Sequence, residues 1–148
     1  MNLSNNSLIS EAAAPISASS SIDTNTDILD MAGYDGVCFI VPMTDSVATG
    51  VATLTVEQNT ANSDTGMAAL SGASASATCT TSDDLNNLLL VVDVYKPVER
   101  YVQGVLTSAT ANIAYGNTVA IRYKGSKCPI TADASVSAST SVYGPAQA

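Results

Sequence analysis

Histidine and tryptophan are absent from these 148 residues, phenylalanine occurs once, and no lysine or arginine precedes Lys96. Without histidine the usual proton shuttle near neutral pH is missing. Ser-His-Asp and Cys-His triads are therefore excluded. The three cysteines, Cys38, Cys79 and Cys128, are widely spaced with no C-x-x-C between them. Three thiolates cannot fill the four positions of a zinc site. Cys38 lies in an apolar run and reads as a buried, reduced thiol, which fits assembly in a reducing cytosol. There is no Walker loop and no G-x-G-x-x-G. No enzyme activity and no cofactor are expected.

Charge is scarce as well. Charged residues make up 12% of the chain, about half the usual fraction. The net charge is −8, which argues against nucleic acid, because phosphate neutralisation needs a basic surface. No apolar run is long enough to span a bilayer, and the N-terminus lacks the basic, then apolar, pattern of a signal peptide. Neither a membrane partner nor secretion is expected.

The charges present are unevenly placed. Residues 1–95 hold eleven acids and no cation, whereas 96–148 hold all five cations and two acids. The basic strands could lie beside acidic ones within the fold, or one subunit could complement another.

Two acidic groupings invite a chemical reading. Asp83-Asp84 is an adjacent carboxylate pair, but neighbours on an extended chain point apart, so a solvated turn is the expectation. Asp23-Thr24-Asn25-Thr26-Asp27 imitates the opening of a calcium loop. Its sixth and twelfth positions are Ile28 and Tyr34 rather than Gly and Glu, so the loop fails and a turn is expected.

What the chain does have is β-branched residues and turn signals. Residues 1–21, rich in Ser, Asn and Ala, read as an extended arm that cannot bury enough surface to offset its ordering entropy. Extended segments are expected around Ile22–Met31, broken at Gly33, and over Gly36–Met43, with Pro42 at an end or edge. Gly50–Gln58 alternates with Ala52, Leu54 and Val56 on one face. Asn59–Gly66 reads as a loop, Met67–Leu70 and Ala75–Thr80 as weak strands around Gly72, and Thr81–Asn87 as a polar turn. Leu88–Tyr95 is the strongest apolar run, Lys96–Glu99 a turn, and Arg100–Thr107 a strand. Tyr115-Gly116-Asn117-Thr118 reads as a hairpin turn. It leads into Val119–Lys124, where Val119, Ile121 and Tyr123 share one side and Arg122 and Lys124 the other. About eight short strands with regular turn signals predict an all-β, antiparallel β-sandwich over 22–130, of jelly-roll type. A second extended arm follows at 131–148.

Three blocks carry a family resemblance. Asp30-Met31-Ala32-Gly33-Tyr34-Asp35-Gly36-Val37-Cys38-Phe39-Ile40 is similar to the segment that opens small virion structural proteins of tailed bacteriophages. Val94–Val102 with Val119–Lys124, and Lys127–Ala134 with its Ser/Thr-rich tail, match further blocks, so the resemblance covers roughly residues 27–148. It implies a capsid cement or decoration protein with a jelly-roll fold, bound to the head exterior after assembly in the bacterial cytoplasm. The implied partners are the major capsid protein and copies of the chain itself, as dimer or trimer. No catalytic residue is carried over.

On this reading the two arms reach across subunit boundaries and order there. Leu3 and Ile9 in the first arm and Tyr143 in the second are candidate partner contacts, as are the cations Arg100, Arg122, Lys124 and Lys127. The alternative is a carbohydrate-binding, host-recognition module of a head fibre or tail. Six tyrosines, Tyr34, Tyr95, Tyr101, Tyr115, Tyr123 and Tyr143, could line its groove.

Overall fold

The computed structural model describes residues 2–142 and 144. A one-turn helix α1 (Leu3–Asn6) leads into β1 (Ser7–Ala13), β2 (Ile16–Ser19), β3 (Asp23–Asn25), β4 (Leu29–Asp30), β5 (Gly36–Ser46) and β6 (Val51–Asn59). These are followed by β7 (Ala68–Thr78), β8 (Leu89–Tyr95), β9 (Tyr101–Ala109), β10 (Ile113–Tyr115) and β11 (Thr118–Tyr123). Two antiparallel sheets pack face to face as an all-β sandwich. In the front sheet β5 is central, with β8 on one side and β10 and β11 on the other. Beyond β11 and β10 lie β1 and β2. The back sheet runs β3 and β4, then β9, β6 and β7.

The pairing is nested. The first strands (β1, β2) pair with the last (β11, β10), and β3 and β4 with β9. Inside these, β5 pairs with β8 and β6 with β7. Three further pairings, β5 to β10, β5 to β11 and β6 to β9, complete the two sheets.

The core follows from strand alternation. Val37, Phe39, Val41 and Met43 of β5 meet Ala52, Leu54 and Val56 of β6, with Val102 and Leu106 of β9, all at 2% exposure or less. Gly104 of β9 leaves space here: a Cβ would crowd Leu54 and Thr26 and touch Phe39. Tyr115 crosses the sandwich. Its hydroxyl donates to the Thr107 carbonyl at 2.6 Å and accepts the Thr53 N–H at 3.1 Å, two register partners of the opposite sheet.

Burial pushes the Tyr115 hydroxyl pKa up to about 12, against about 10 for a free tyrosine. A raised folded value means its stabilisation is complete below pH about 10 and lost as pH rises towards about 12. Tyr115→Phe orphans two backbone groups and is expected to cost about 1–3 kcal/mol in urea unfolding, with a flatter loss of stability above pH about 10.

Four expectations need correction. Residues 1–21 are not a free arm. β1 completes the front sheet beside β11, Ala12 is buried, and the Asp27 N–H donates to the Ala12 carbonyl at 2.7 Å. Composition misled because Ser and Ala contribute here through backbone pairing, which needs no large side chain. Pro42 lies inside a central strand, pairing with Leu89. It is tolerated because its other flank faces the break between β10 and β11, and the Gly116 N–H reaches its carbonyl at 2.8 Å. The same break is no hairpin, since β10 and β11 both run antiparallel to β5 and Gly116-Asn117 only kinks the chain. Gly116 is needed there because a Cβ would press on the Pro42 ring. Finally, Cys38 is half-buried and the buried thiol is Cys79; all three cysteines are free.

Candidate functional site

All five cations sit at one end of the sandwich. Register places Tyr123, Gly36 and Tyr95 in one row, so β11 and β8 finish together, beside the start of β9. Lys96, Arg100, Lys124 and Lys127 follow directly in the loops at that end, and Arg122 lies just inside it. Arg100 grips Asp30 with two hydrogen bonds, Nε to Oδ1 at 2.9 Å and Nη2 to Oδ2 at 2.7 Å. This holds the Asp30 carboxyl down at about 2, lower than a free aspartate. Both side chains are well exposed, so the pair adds under about 1 kcal/mol. Arg122 faces inward at the sandwich mouth, donating from Nη1 to the Asp30 carbonyl at 2.9 Å and stacking over Tyr34 at 5.4 Å. Lys96 and Lys124 both lie over the Tyr95 ring, at 5.5 and 5.0 Å. Among the expected contacts, Arg100, Arg122, Lys124 and Lys127 thus converge. Lys96 joins them, and its position beside Pro97 in the expected turn was the available signal. Leu3 is exposed on α1, Ile9 sits on β1 far across the front sheet from Lys96, and Tyr143 lies outside the described residues.

Tyr34, Tyr95, Tyr101 and Tyr123 gather at this same end, whereas Tyr115 is a core residue. An open groove of about 480 Å³ runs between Met31–Asp35 and Lys96–Arg100. The rings beside it are already stacked by the chain's own cations, with Arg100 over Tyr101 at 5.2 Å. Tyr123 lies across Gly36 and donates to Asp93 Oδ1 at 2.6 Å. Burial and the Asp93 carboxylate both push its hydroxyl pKa up.

The second surface is the outer face of the front sheet. On β11 the buried side chains are Thr118 and Ala120, so Val119, Ile121 and Tyr123 point outward. On β8, Leu90 and Val92 go in, while Leu89 and Val91 stay out at 57% and 48% exposure. Register aligns Val119, Ile40 and Val91 in one outward row and Ile121, Cys38 and Asp93 in the next. Apolar side chains therefore fill the inner face of this sheet and much of the outer one, with Asp93 standing among them.

The third is the free edge of β7. Among the described strands it pairs with β6 alone, through residues 68–69 and 74–78, and its side chains are small apart from Leu70. It carries neither Lys nor Pro, and a bulge at 70–73, with Gly72 at φ +79°, divides it.

The acidic pairs are local structure. Asp84 accepts both the N–H and hydroxyl of Thr80 and the Thr81 N–H, which hold its carboxyl well below the usual range. Asp23 and Asn25 lie in strand β3 rather than in a turn. Among the described residues no group of three or more His, Cys, Asp or Glu is placed to hold a metal ion. Among them, too, no helix is long and apolar enough to cross a membrane.

No protein-family model matches this chain, and no curated protein matches it.

Proposed function

We propose that this chain is a virion structural protein that binds the outside of a phage capsid and cements neighbouring major capsid subunits. The nested strand pairing is read as a jelly roll, an architecture used for packing proteins side by side. The observation that carries the reading is the β7 edge. Beyond the bulge at 70–73, residues 74–78 pair regularly with β6, and their small side chains leave one row of backbone donors and acceptors open to an added strand. Strand addition takes its affinity from main-chain hydrogen bonds and tolerates bland side chains. Many such weak contacts, repeated by symmetry, sum through avidity. The neighbouring capsid subunit, rather than this chain's own N-terminus, supplies the reaching segment.

A carbohydrate-recognition role is the weaker reading, because the tyrosine rings at the groove are stacked with Lys and Arg. The test adds purified protein to capsids that lack it and measures occupancy and heat resistance. Ser74→Lys with Ser76→Lys, which blunts the edge, is expected to lower occupancy at least about tenfold with the fold intact. Unchanged occupancy would rule out the edge; no binding by the unaltered chain would rule out cementing.

A further inference from the structure

We propose that two copies of this chain dock through the outer face of the front sheet, strands antiparallel, as a two-fold dimer. This deepens the reading above by giving the self-contact a surface and an orientation, and it is testable without a capsid.

The face suits a protein partner. Ile40, Val119 and Val91 are β-branched and lose little rotamer freedom on burial. One carboxylate stands on the face: Asp93 points outward beside Cys38 and accepts the Tyr123 hydroxyl at 2.6 Å, and no cation lies between the two ends of the face. Among the described residues the C-terminal tail meets the β1 flank, where the Glu11 N–H donates to Ser135 Oγ at 3.0 Å, and Leu89 and Val91 of β8 are exposed.

Charge complementarity selects the occupant. One end of the face carries Lys96 and Lys124 around Tyr95. The other carries Asp83 and Asp84, in a loop held along the end of β5. There the Asp83 N–H donates to the Ser46 carbonyl at 2.8 Å, and the Asn87 N–H to that of Met43 at 2.9 Å. A two-fold axis across the strands lays each lysine end on the other copy's aspartate end, twice. An axis along the strands would oppose like charges. Closed two-fold contacts of this kind are self-complementary.

The area suits a weak dimer. Eleven residues of β5 at about 3.3 Å and the three open strand widths of β8, β5 and β11 at about 4.8 Å give about 36 by 14 Å. That is about 500 Å² per partner, or about 1,000 Å² in all, the size of a weak or transient interface.

The full chain is examined by sedimentation equilibrium over a concentration series. A monomer–dimer equilibrium that weakens with salt is expected. Ile40→Lys, and independently the more exposed Val91→Lys, are expected to weaken it at least about 100-fold, because each buries an unpaired charge. Lys124→Asp keeps a residue suited to the positive φ there and is expected to weaken it about tenfold at low salt. Zero-length carbodiimide coupling between isotope-labelled and unlabelled copies should join Lys96 or Lys124 to Asp83 or Asp84. A monomer at all concentrations, a dimer indifferent to both apolar-to-lysine variants, or inter-copy coupling lacking those pairs would overturn the proposal. A monomer whose Ile40→Lys variant no longer binds capsids would give this face to the capsid, overturning the dimer but not the cementing. A dimer that leaves capsids unbound would overturn cementing alone.

Discussion

Deletion of residues 2–19 is expected to abolish folding. β1 and β2 pair with β11 and β10, so their loss strips the edge from the front sheet. It also removes acceptors used elsewhere. The Asn5 and Asn6 carbonyls take the N–H groups of Ile130 and Gly125, at 3.0 and 3.2 Å. The Ser19 carbonyl takes the Ser108 hydroxyl at 2.7 Å. Ala12 leaves a gap in the core. Each lost pairing costs about 1 kcal/mol net and each orphaned buried group more, against a total stability of about 5–15 kcal/mol. Circular dichroism and amide-proton dispersion should report an unfolded or aggregated chain. Native spectra from the truncated chain would restore the free-arm reading. The deletion therefore cannot serve as a clean test of capsid binding, which is why the edge variant is preferred.

The second large effect separates two adjacent residues. Phe39→Ala is expected to cost about 3–5 kcal/mol in urea unfolding, because Phe39 is fully buried and contacts the space above Gly104. Ile40→Ser, one position on, is expected to cost under about 1.5 kcal/mol, since Ile40 faces outward and is only half-buried. On β11 the same logic runs against hydropathy: Ala120→Leu overpacks the core and should cost about 1–3 kcal/mol, while Val119→Thr should be tolerated. Similar costs for Phe39→Ala and Ile40→Ser would contradict the assigned faces.

Those faces mark what could be read in advance. The sandwich was legible because Gly50–Gln58 alternates cleanly and its apolar residues Ala52, Leu54 and Val56 are all buried. The turns at Gly33, Asn59–Gly66, Thr81–Asn87 and Lys96–Glu99 were legible from Gly, Pro and Asx chemistry. The outer apolar face was not, because a strand apolar on both sides has no period to show which side is in. The N-terminal strands were hidden because their few large apolar residues, Leu8, Ile9 and Ile16, stand among Ser, Glu and Ala that pair through the backbone and show no sustained alternation. Of the candidate contacts, the cations were legible as a group, since they cluster late in the sequence. Their convergence at one end depended on the register of β11, β5 and β8, which is a tertiary fact. The β7 edge was read as two weak strands around Gly72; it is one strand, with Gly72 at φ +79° within it.

The central claim is that this chain is a building part of a capsid surface, and quantitative mass spectrometry of purified particles tests it most directly. A copy number in fixed proportion to the major capsid subunit is the expected result. A few copies per particle, or none, would contradict it.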